Sequence, residues 1–128
     1  MNITTNIKTH IDILPELAQI MIDLGFNSNG RQLAFRWLEE IIILAIFYPD
    51  TWQDDYLERI GKRENLTRER VRQILYKAVW DKWSKESKGI LEKHFEHPIK
   101  TQFKYVKPNH VEFISLISNE LRKKHLEN

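Results

Sequence analysis

The amino-acid sequence predicts an all-α, single-domain protein of about six helices, and three observations indicate this class. Apolar residues recur every three or four positions over most of the chain, which is the spacing of helices that bury one face. Strict alternation of apolar and polar residues, the mark of half-buried strands, is nearly absent. The length of 128 residues and the hydrophobic fraction of 41% fit one domain with a substantial core.

The first predicted helix covers residues 12–24. Asp12 is a candidate N-cap, because its side-chain oxygen can accept a hydrogen bond from an unpaired amide of the first turn. Pro15 is compatible with a first turn, where its missing amide hydrogen breaks no bond. Gly25 follows as a stop signal, since glycine readily adopts the left-handed conformation that ends helices.

The second predicted helix runs over about residues 30–48, after a turn at residues 26–30, and ends at Pro49. Beyond Glu40 it is apolar nearly all round. A helix without a polar face has to be enclosed on all sides. We therefore expect it to be the central and most buried helix.

Residues 53–83 have the pattern of a helix-turn-helix. A short helix over residues 56–64 is followed by a tight turn at Asn65 and by a second helix over residues 67–83, with Thr67 as its N-cap. Two short helices joined by a few residues, the second of them basic, are typical of this motif. The apolar stripe of the second helix consists of Val71, Ile74, Leu75, Ala78 and Val79.

The other face of this second helix carries side chains that suit base edges and phosphates. They are Arg68, Glu69, Arg72, Gln73, Tyr76 and Lys77. Flanking cations are expected to bind phosphates, namely Lys62, Arg63, Lys82, Lys100 and Lys104. The competing interpretation is a basic amphipathic helix that only covers a core. The agreement of charge, spacing and upstream helix favours DNA binding.

The C-terminal third predicts two further helices separated by a basic loop. A short helix is expected over residues 89–96, and residues 97–108 form a loop that contains two prolines. The last helix covers about residues 109–126. Asn109 and Glu112 stand three residues apart at its start, which is a variant of the capping box.

Charge is unevenly distributed along the chain. Residues 1–58 hold 3 Lys and Arg against 9 Asp and Glu, whereas residues 59–104 hold 13 against 6. The mildly basic total of +2 therefore conceals a strongly basic middle. Such clustering favours a polyanionic partner, although a solvated basic surface without a partner gives the same pattern.

The residues offer little for catalysis or metal binding. The chain has no Cys, so thiol chemistry and disulfides are excluded. His94 and His97 are suitably spaced for a metal, but no further His supports them and Pro98 interrupts a regular helix there. Glu39 and Glu40 are adjacent, and adjacent helix positions point apart. No glycine-rich phosphate loop is present. We expect no enzyme, no metal and no cofactor.

Most of the chain resembles the C-terminal effector domain of the master response regulator of sporulation initiation in endospore-forming bacteria. The best match is the C-terminal segment KPNHVEFISLISNELRKKH. Three earlier segments also occur in the family's order and spacing, namely NGRQLAFRWLEEII, IGKRENLTRERV and AVWDKWS. The resemblance implies an all-α fold of about six helices with a central helix-turn-helix. It also implies DNA contacts from the second helix of that motif. These would be Arg70, Arg72, Gln73, Tyr76 and Lys77.

The segment NLTRERVRQI also resembles the promoter-reading helix in region 4 of bacterial primary sigma factors. This second match covers about a dozen residues. It implies contacts from Arg68, Glu69, Arg72 and Gln73.

The sequence departs from the sporulation family in two respects. That family carries an acidic residue and then Arg where Arg72 and Gln73 stand. Since Arg prefers guanine edges and Gln prefers adenine, a different target site is expected. The phosphoacceptor domain of that regulator has no counterpart here, so we expect a stand-alone effector or a fragment. A stand-alone effector would not be switched by phosphorylation in the family's way.

These observations predict a sequence-specific DNA-binding transcriptional regulator that binds double-stranded DNA as a homodimer. The alternative is a protein-interaction module that mimics a sigma-factor or regulator domain and titrates RNA polymerase or another regulator. Among the tryptophans, which suit a core or an interface, Trp83 with the outer side of the last helix is a candidate dimer contact. With no signal peptide and no apolar run long enough for a membrane, a cytoplasmic location is expected.

Overall fold

The computed structural model describes residues 3–26 and 33–127, with side chains from residue 11 onward. Within these ranges the chain forms six helices and no strand. The helices are α1 (Ile3–Asp23), α2 (Leu33–Phe47), α3 (Tyr56–Glu64), α4 (Arg68–Lys82), α5 (Ser87–Phe95) and α6 (His110–Leu126). The predicted all-α class is confirmed. The predicted turn at residues 26–30 lies, apart from Phe26, outside the described residues.

The prediction for the first helix is wrong at its start. Helix α1 begins at Ile3, nine residues before Asp12, so Asp12 is an interior residue rather than a cap. Pro15 consequently lies inside the helix and not in its first turn. It removes one backbone hydrogen bond, which would have run to the carbonyl four residues earlier. The N-cap prediction is wrong because an exposed aspartate is also tolerated inside a helix, where its side chain faces solvent.

The end of α1 is as predicted, and its geometry explains the need for glycine. Gly25 has φ of +101°, a region that side chains with a Cβ rarely adopt. The amide of Gly25 donates to the Ile22 carbonyl at 2.9 Å, and the amide of Phe26 donates to the Met21 carbonyl at 3.0 Å. This pair of bonds is the Schellman motif, and the buried side chains of Met21 and Phe26 accompany it.

Helix α2 is the centre of the molecule, as its composition predicts. It packs most extensively on α6 and also contacts α4 and α1. Its buried residues are Phe35, Trp37, Leu38, Ile41, Ile42, Ala45 and Ile46. Arg122 of α6 donates from Nη2 to the Ala45 carbonyl at 2.7 Å and from Nε to the Ile46 carbonyl at 3.1 Å. The guanidinium thus pairs carbonyls that the last turn of α2 leaves without helical partners.

The caps of α6 are also as predicted. The Asn109 side chain accepts from the Glu112 amide at 2.7 Å, and the Glu112 carboxylate accepts from the Asn109 amide at 2.9 Å. This reciprocal pair is a capping box. The inner face of α6 carries Phe113, Ile117 and Leu121, all of which are buried in the core. In the described part of the chain, no helix is both long enough and apolar enough to cross a membrane.

Candidate nucleic-acid interface

Helices α3 and α4 are joined by three residues, and a glycine in α3 permits this tight connection. Asn65 adopts the left-handed conformation with φ of 58°. The carbonyl of Gly61 accepts the amide of Leu66 at 2.8 Å and also that of Asn65. A Cβ on Gly61 would lie 2.6 Å from the Leu66 carbonyl oxygen. The chain therefore turns onto α3 at a distance that only glycine allows.

Helix α4 begins and ends where the sequence predicts. The Thr67 hydroxyl accepts from the Arg70 amide at 3.1 Å, which makes Thr67 the N-cap. Val71, Leu75 and Val79 are completely buried on the inner face. Because these residues fix the rotation of the helix against α3 and α2, its opposite side faces solvent.

The solvent side of α4 has an ordered pattern, which we call the α4 outer face. At 3.6 residues per turn, its centre is formed by one line of residues. This line is Glu69, Gln73, Tyr76 and Trp80. The basic residues that flank the line are Arg68 and Arg72 on one side and Arg70 and Lys77 on the other. All eight residues are exposed, so the predicted contact residues of α4 share one surface.

Near its N-terminal end, the α4 outer face carries a small hydrogen-bonded cluster. The Arg72 guanidinium donates to both carboxylate oxygens of Glu69, with Nε at 3.0 Å from Oε2. This bond holds the pKa of Glu69 below its ordinary value, and it raises the pKa of Arg72. The side-chain amide of Gln73 also lowers the pKa of this carboxylate. Three groups able to read base edges are thus arranged together before any ligand binds.

The other cations of this face differ in whether they are paired. Lys77 Nζ lies 2.6 Å from Asp81, and Arg68 lies 3.4 Å from Glu58 of α3. Exposed pairs of this kind contribute little stability, so exchanging a carboxylate for a phosphate costs little. Arg70 makes no ion pair within the described residues.

The two flanking cations in α3 differ from each other. Arg63 donates both terminal nitrogens to the Glu40 carboxylate of α2, at 2.7 and 2.9 Å. This bidentate pair lowers the pKa of Glu40. Lys62 is exposed and has no ion pair in the described part of the chain. Lys62 is therefore the better placed of the two to bind a phosphate, while Arg63 already joins α3 to α2.

Sequence reasoning did not assign Trp80 and Lys107 to this surface. Trp80 is 37% exposed, and its ring stacks on Tyr76 with centroids 5.9 Å apart and planes 16° apart. The Lys107 ammonium lies 5.0 Å from the Trp80 ring centroid and donates to the Trp80 carbonyl at 2.8 Å. The i, i+4, i+7, i+11 spacing from Glu69 was the available signal for Trp80. No sequence pattern near Lys107 indicates that it contacts Trp80.

Trp83 is not available as a dimer contact. It is 8% exposed, and its ring meets the edges of Phe103 and Phe113 at centroid distances of 5.5 and 6.3 Å. The prediction is wrong for this residue because the loop between α5 and α6 covers it. Its position after the last turn of α4 gave no indication of that cover.

A buried histidine lies behind the α4 outer face. His110 Nε2 and the Tyr56 hydroxyl are hydrogen-bonded at 2.7 Å, joining the N-terminal turns of α6 and α3. His110 Nδ1 has no hydrogen-bond partner among the described residues. Burial, together with the positive charge of Arg72, lowers the pKa of His110 to about 4. His110 is therefore neutral at pH 7.

The two histidines considered as metal ligands each contact a carboxylate instead. His94 Nε2 lies 2.6 Å from Glu16 Oε2, and His97 Nε2 lies 2.9 Å from Glu120 Oε1. Lys124 and His125 also contact Glu16, at 2.8 and 2.7 Å. Among the described residues no three His, Asp or Glu form a group that could hold a metal ion. The Glu16 cluster ties α1 to α5 and α6.

No protein-family model, no curated protein and no solved structure matches this chain in comparisons with known proteins. Six helices agree with the fold that the resemblance to the sporulation regulator implies. The family itself, and the likeness of α4 to region 4 of sigma factors, stay predictions from the residues.

Proposed function

We propose that the protein is a sequence-specific regulator that binds double-stranded DNA with α4 in the major groove. The observation that carries this proposal is the α4 outer face. It presents the Glu69, Arg72 and Gln73 cluster on a helix that follows a three-residue turn. A helix of this kind fits the major groove, where each base pair has a distinct pattern of donors and acceptors.

The three clustered side chains suit different bases. Arg72 can donate two hydrogen bonds to guanine, Gln73 can pair with adenine, and Glu69 can accept from cytosine. In the free protein Glu69 accepts from Arg72, which orients the guanidinium along the helix surface. On DNA the Arg72 guanidinium either keeps its hydrogen bonds to Glu69 while it reaches a base, or it replaces them with hydrogen bonds to guanine. Both routes make Gln73 and Arg72 the determinants of sequence preference.

The remaining cations suit phosphates. Arg70 and Lys62 are exposed and unpaired within the described residues, whereas Lys77 and Arg68 have only weak surface pairs. Phosphate binding releases counterions from DNA, and affinity then falls steeply with salt. A basic middle with an acidic first part also orients the approach to DNA.

The first experiment is a fluorescence-anisotropy titration with a random duplex at two salt concentrations. We expect binding that weakens strongly with salt, with each phosphate contact adding about 0.9 to the slope of log affinity against log salt concentration.

A second experiment selects a preferred site from a random library and compares the affinity of variants for that site. Gln73→Ala should lose about 1–3 kcal/mol on that site and accept other bases at one position. Gln19→Ala, on the exposed side of α1, is the matched control.

A second candidate function is a protein-interaction module that titrates RNA polymerase or another regulator. The observation that favours it is an apolar stripe on the outer side of α1. Ile11, Leu14 and Ile22 are 63, 43 and 49% exposed there. Exposed apolar stripes of this kind are typical of protein contacts. Binding to purified RNA polymerase without any binding to duplex DNA would favour this candidate over the first.

A further inference from the structure

The segment between α5 and α6, residues 98–109, contains no helix, yet it is held against α4 and α6. Two carboxylates bind its backbone, one near its start and one at its middle. The amide of Ile99 donates to Glu92 at 2.8 Å, and the amide of Lys104 donates to Glu112 at 2.9 Å. These bonds restrain the loop before any partner arrives.

Two side chains of the loop attach it to the C-terminal half of α4. The ring of Phe103 meets Trp83 edge-on, and the ammonium of Lys107 lies over Trp80. Between these attachments the tip is solvent-exposed, with Tyr105 64% and Val106 93% exposed.

The tip extends the α4 outer face. An open depression of about 740 Å³ is lined by residues of both elements: Tyr76, Trp80, Lys104, Tyr105 and Val106. Trp80 follows Arg68 by twelve residues, so this part of the surface lies about 18 Å along the axis from the start of α4. The major groove is only about 12 Å wide. A helix that reads bases with its first turns therefore meets the sugar–phosphate backbone near its later turns.

The charge of the loop fits that position. Residues 97–111 contain Lys100, Lys104 and Lys107 and no Asp or Glu. The ring of Tyr76 stacks on the ring of Trp80, and the Lys107 ammonium lies 5.0 Å from the centroid of the Trp80 ring. Little of the Trp80 ring surface is therefore left for an unpaired base. What the surface offers instead is an ammonium, hydroxyl and indole donors, and apolar contact. These are the groups that bind phosphate and sugar in duplex DNA.

We propose that residues 98–109 form a second DNA-contacting element, which binds the phosphate backbone beside the groove occupied by α4. Lys104 and Tyr105 make the contacts, and Lys107 holds the loop in place against Trp80. This inference rests on the proposed function. It adds a region of contact that does not read bases, and it extends the protected DNA beyond the α4 site.

The test compares Lys104→Gln and Tyr105→Ala with Lys123→Gln in the full chain. Lys123 is an exposed lysine of α6 near the His94 and Glu16 cluster, so its removal changes the charge equally at a distant place. The probe is a fluorescein-labelled duplex carrying the selected site. Anisotropy is measured over a range of salt concentrations, and hydroxyl-radical footprints are recorded on both strands.

Lys104→Gln should weaken binding about 3- to 10-fold at 0.1 M salt and reduce the salt slope by about 0.9. Tyr105→Ala should shorten the footprint at one edge, while the base preference governed by Gln73 stays unchanged. Equal affinity, slope and footprint in all three variants would overturn the inference and leave the α4 proposal standing. Loss of self-association in the tip variants, with DNA affinity intact, would also overturn it. No binding of wild-type protein to any duplex would overturn both proposals.

Discussion

Acid should destabilise this protein through one buried side chain, His110. Its Nε2 is hydrogen-bonded to Tyr56, and its pKa is about 4 in the folded protein against an ordinary value of 6.5. Burial opposes the imidazolium most, and the nearby charge of Arg72 opposes it further. The position at the positive N-terminal end of α6 acts in the same direction.

The magnitude follows from linkage. Between pH 6.5 and 4 the unfolded chain binds a proton that folded His110 does not, so the free energy of unfolding falls as the pH falls. The contribution is fully present above pH 6.5 and is lost as the pH approaches 4. A shift from 6.5 to about 4 corresponds to about 3 kcal/mol, most of which is lost by roughly pH 4.5.

Urea unfolding followed by tryptophan fluorescence between about pH 7.5 and 4.5 measures this loss. His110→Gln is the informative variant, because glutamine does not titrate and can still hydrogen-bond Tyr56. The other four histidines are common to both proteins, so the difference in pH dependence isolates His110. Equal losses in wild type and His110→Gln would contradict this prediction. So would an NMR titration in which the His110 ring is protonated near pH 6.5.

Three further outcomes are expected. Gly61→Ala should lower the free energy of unfolding by about 1–3 kcal/mol, because its Cβ would lie 2.6 Å from a backbone oxygen. Gly89→Ala in α5, where a Cβ meets nothing within 4 Å, should be neutral or stabilising, and equal losses in urea unfolding would contradict this. Glu16→Gln should destabilise by about 1–3 kcal/mol at pH 7. The difference from wild type should close as the pH falls from 4.5 towards 2, because hydrogen bonds with Lys124, His94 and His125 outweigh the effect of burial and hold the pKa of Glu16 at about 2. Asp12→Asn, which removes an exposed carboxylate from the same helix, is the matched control. On DNA the protein should bind as two copies roughly one helical turn apart; a footprint of only a few base pairs with one protein per duplex would exclude the dimer.

The local features of the helices could be predicted from the sequence alone. Thr67 and Asn109 cap α4 and α6 as expected, and Gly25 ends α1. The outer face of α4 was also predictable, because its residues follow from the helical period and from the apolar stripe opposite. Each of these features depends on groups within about four residues of one another, so the order of residues contains the information needed.

Contacts between residues far apart in the chain could not be predicted and are seen only in the folded protein. Arg63 pairs with Glu40, which lies 23 residues earlier, and Lys107 lies over Trp80, 27 residues earlier. His110 is buried against Tyr56, 54 residues away, and acquires its low pKa there. Such contacts depend on how α2, α3, α4 and α6 pack, and many arrangements of helices satisfy the same local pattern. The sequence therefore determined the helices and the chemistry of their faces, whereas packing decided which charged and aromatic side chains remain free to bind a partner.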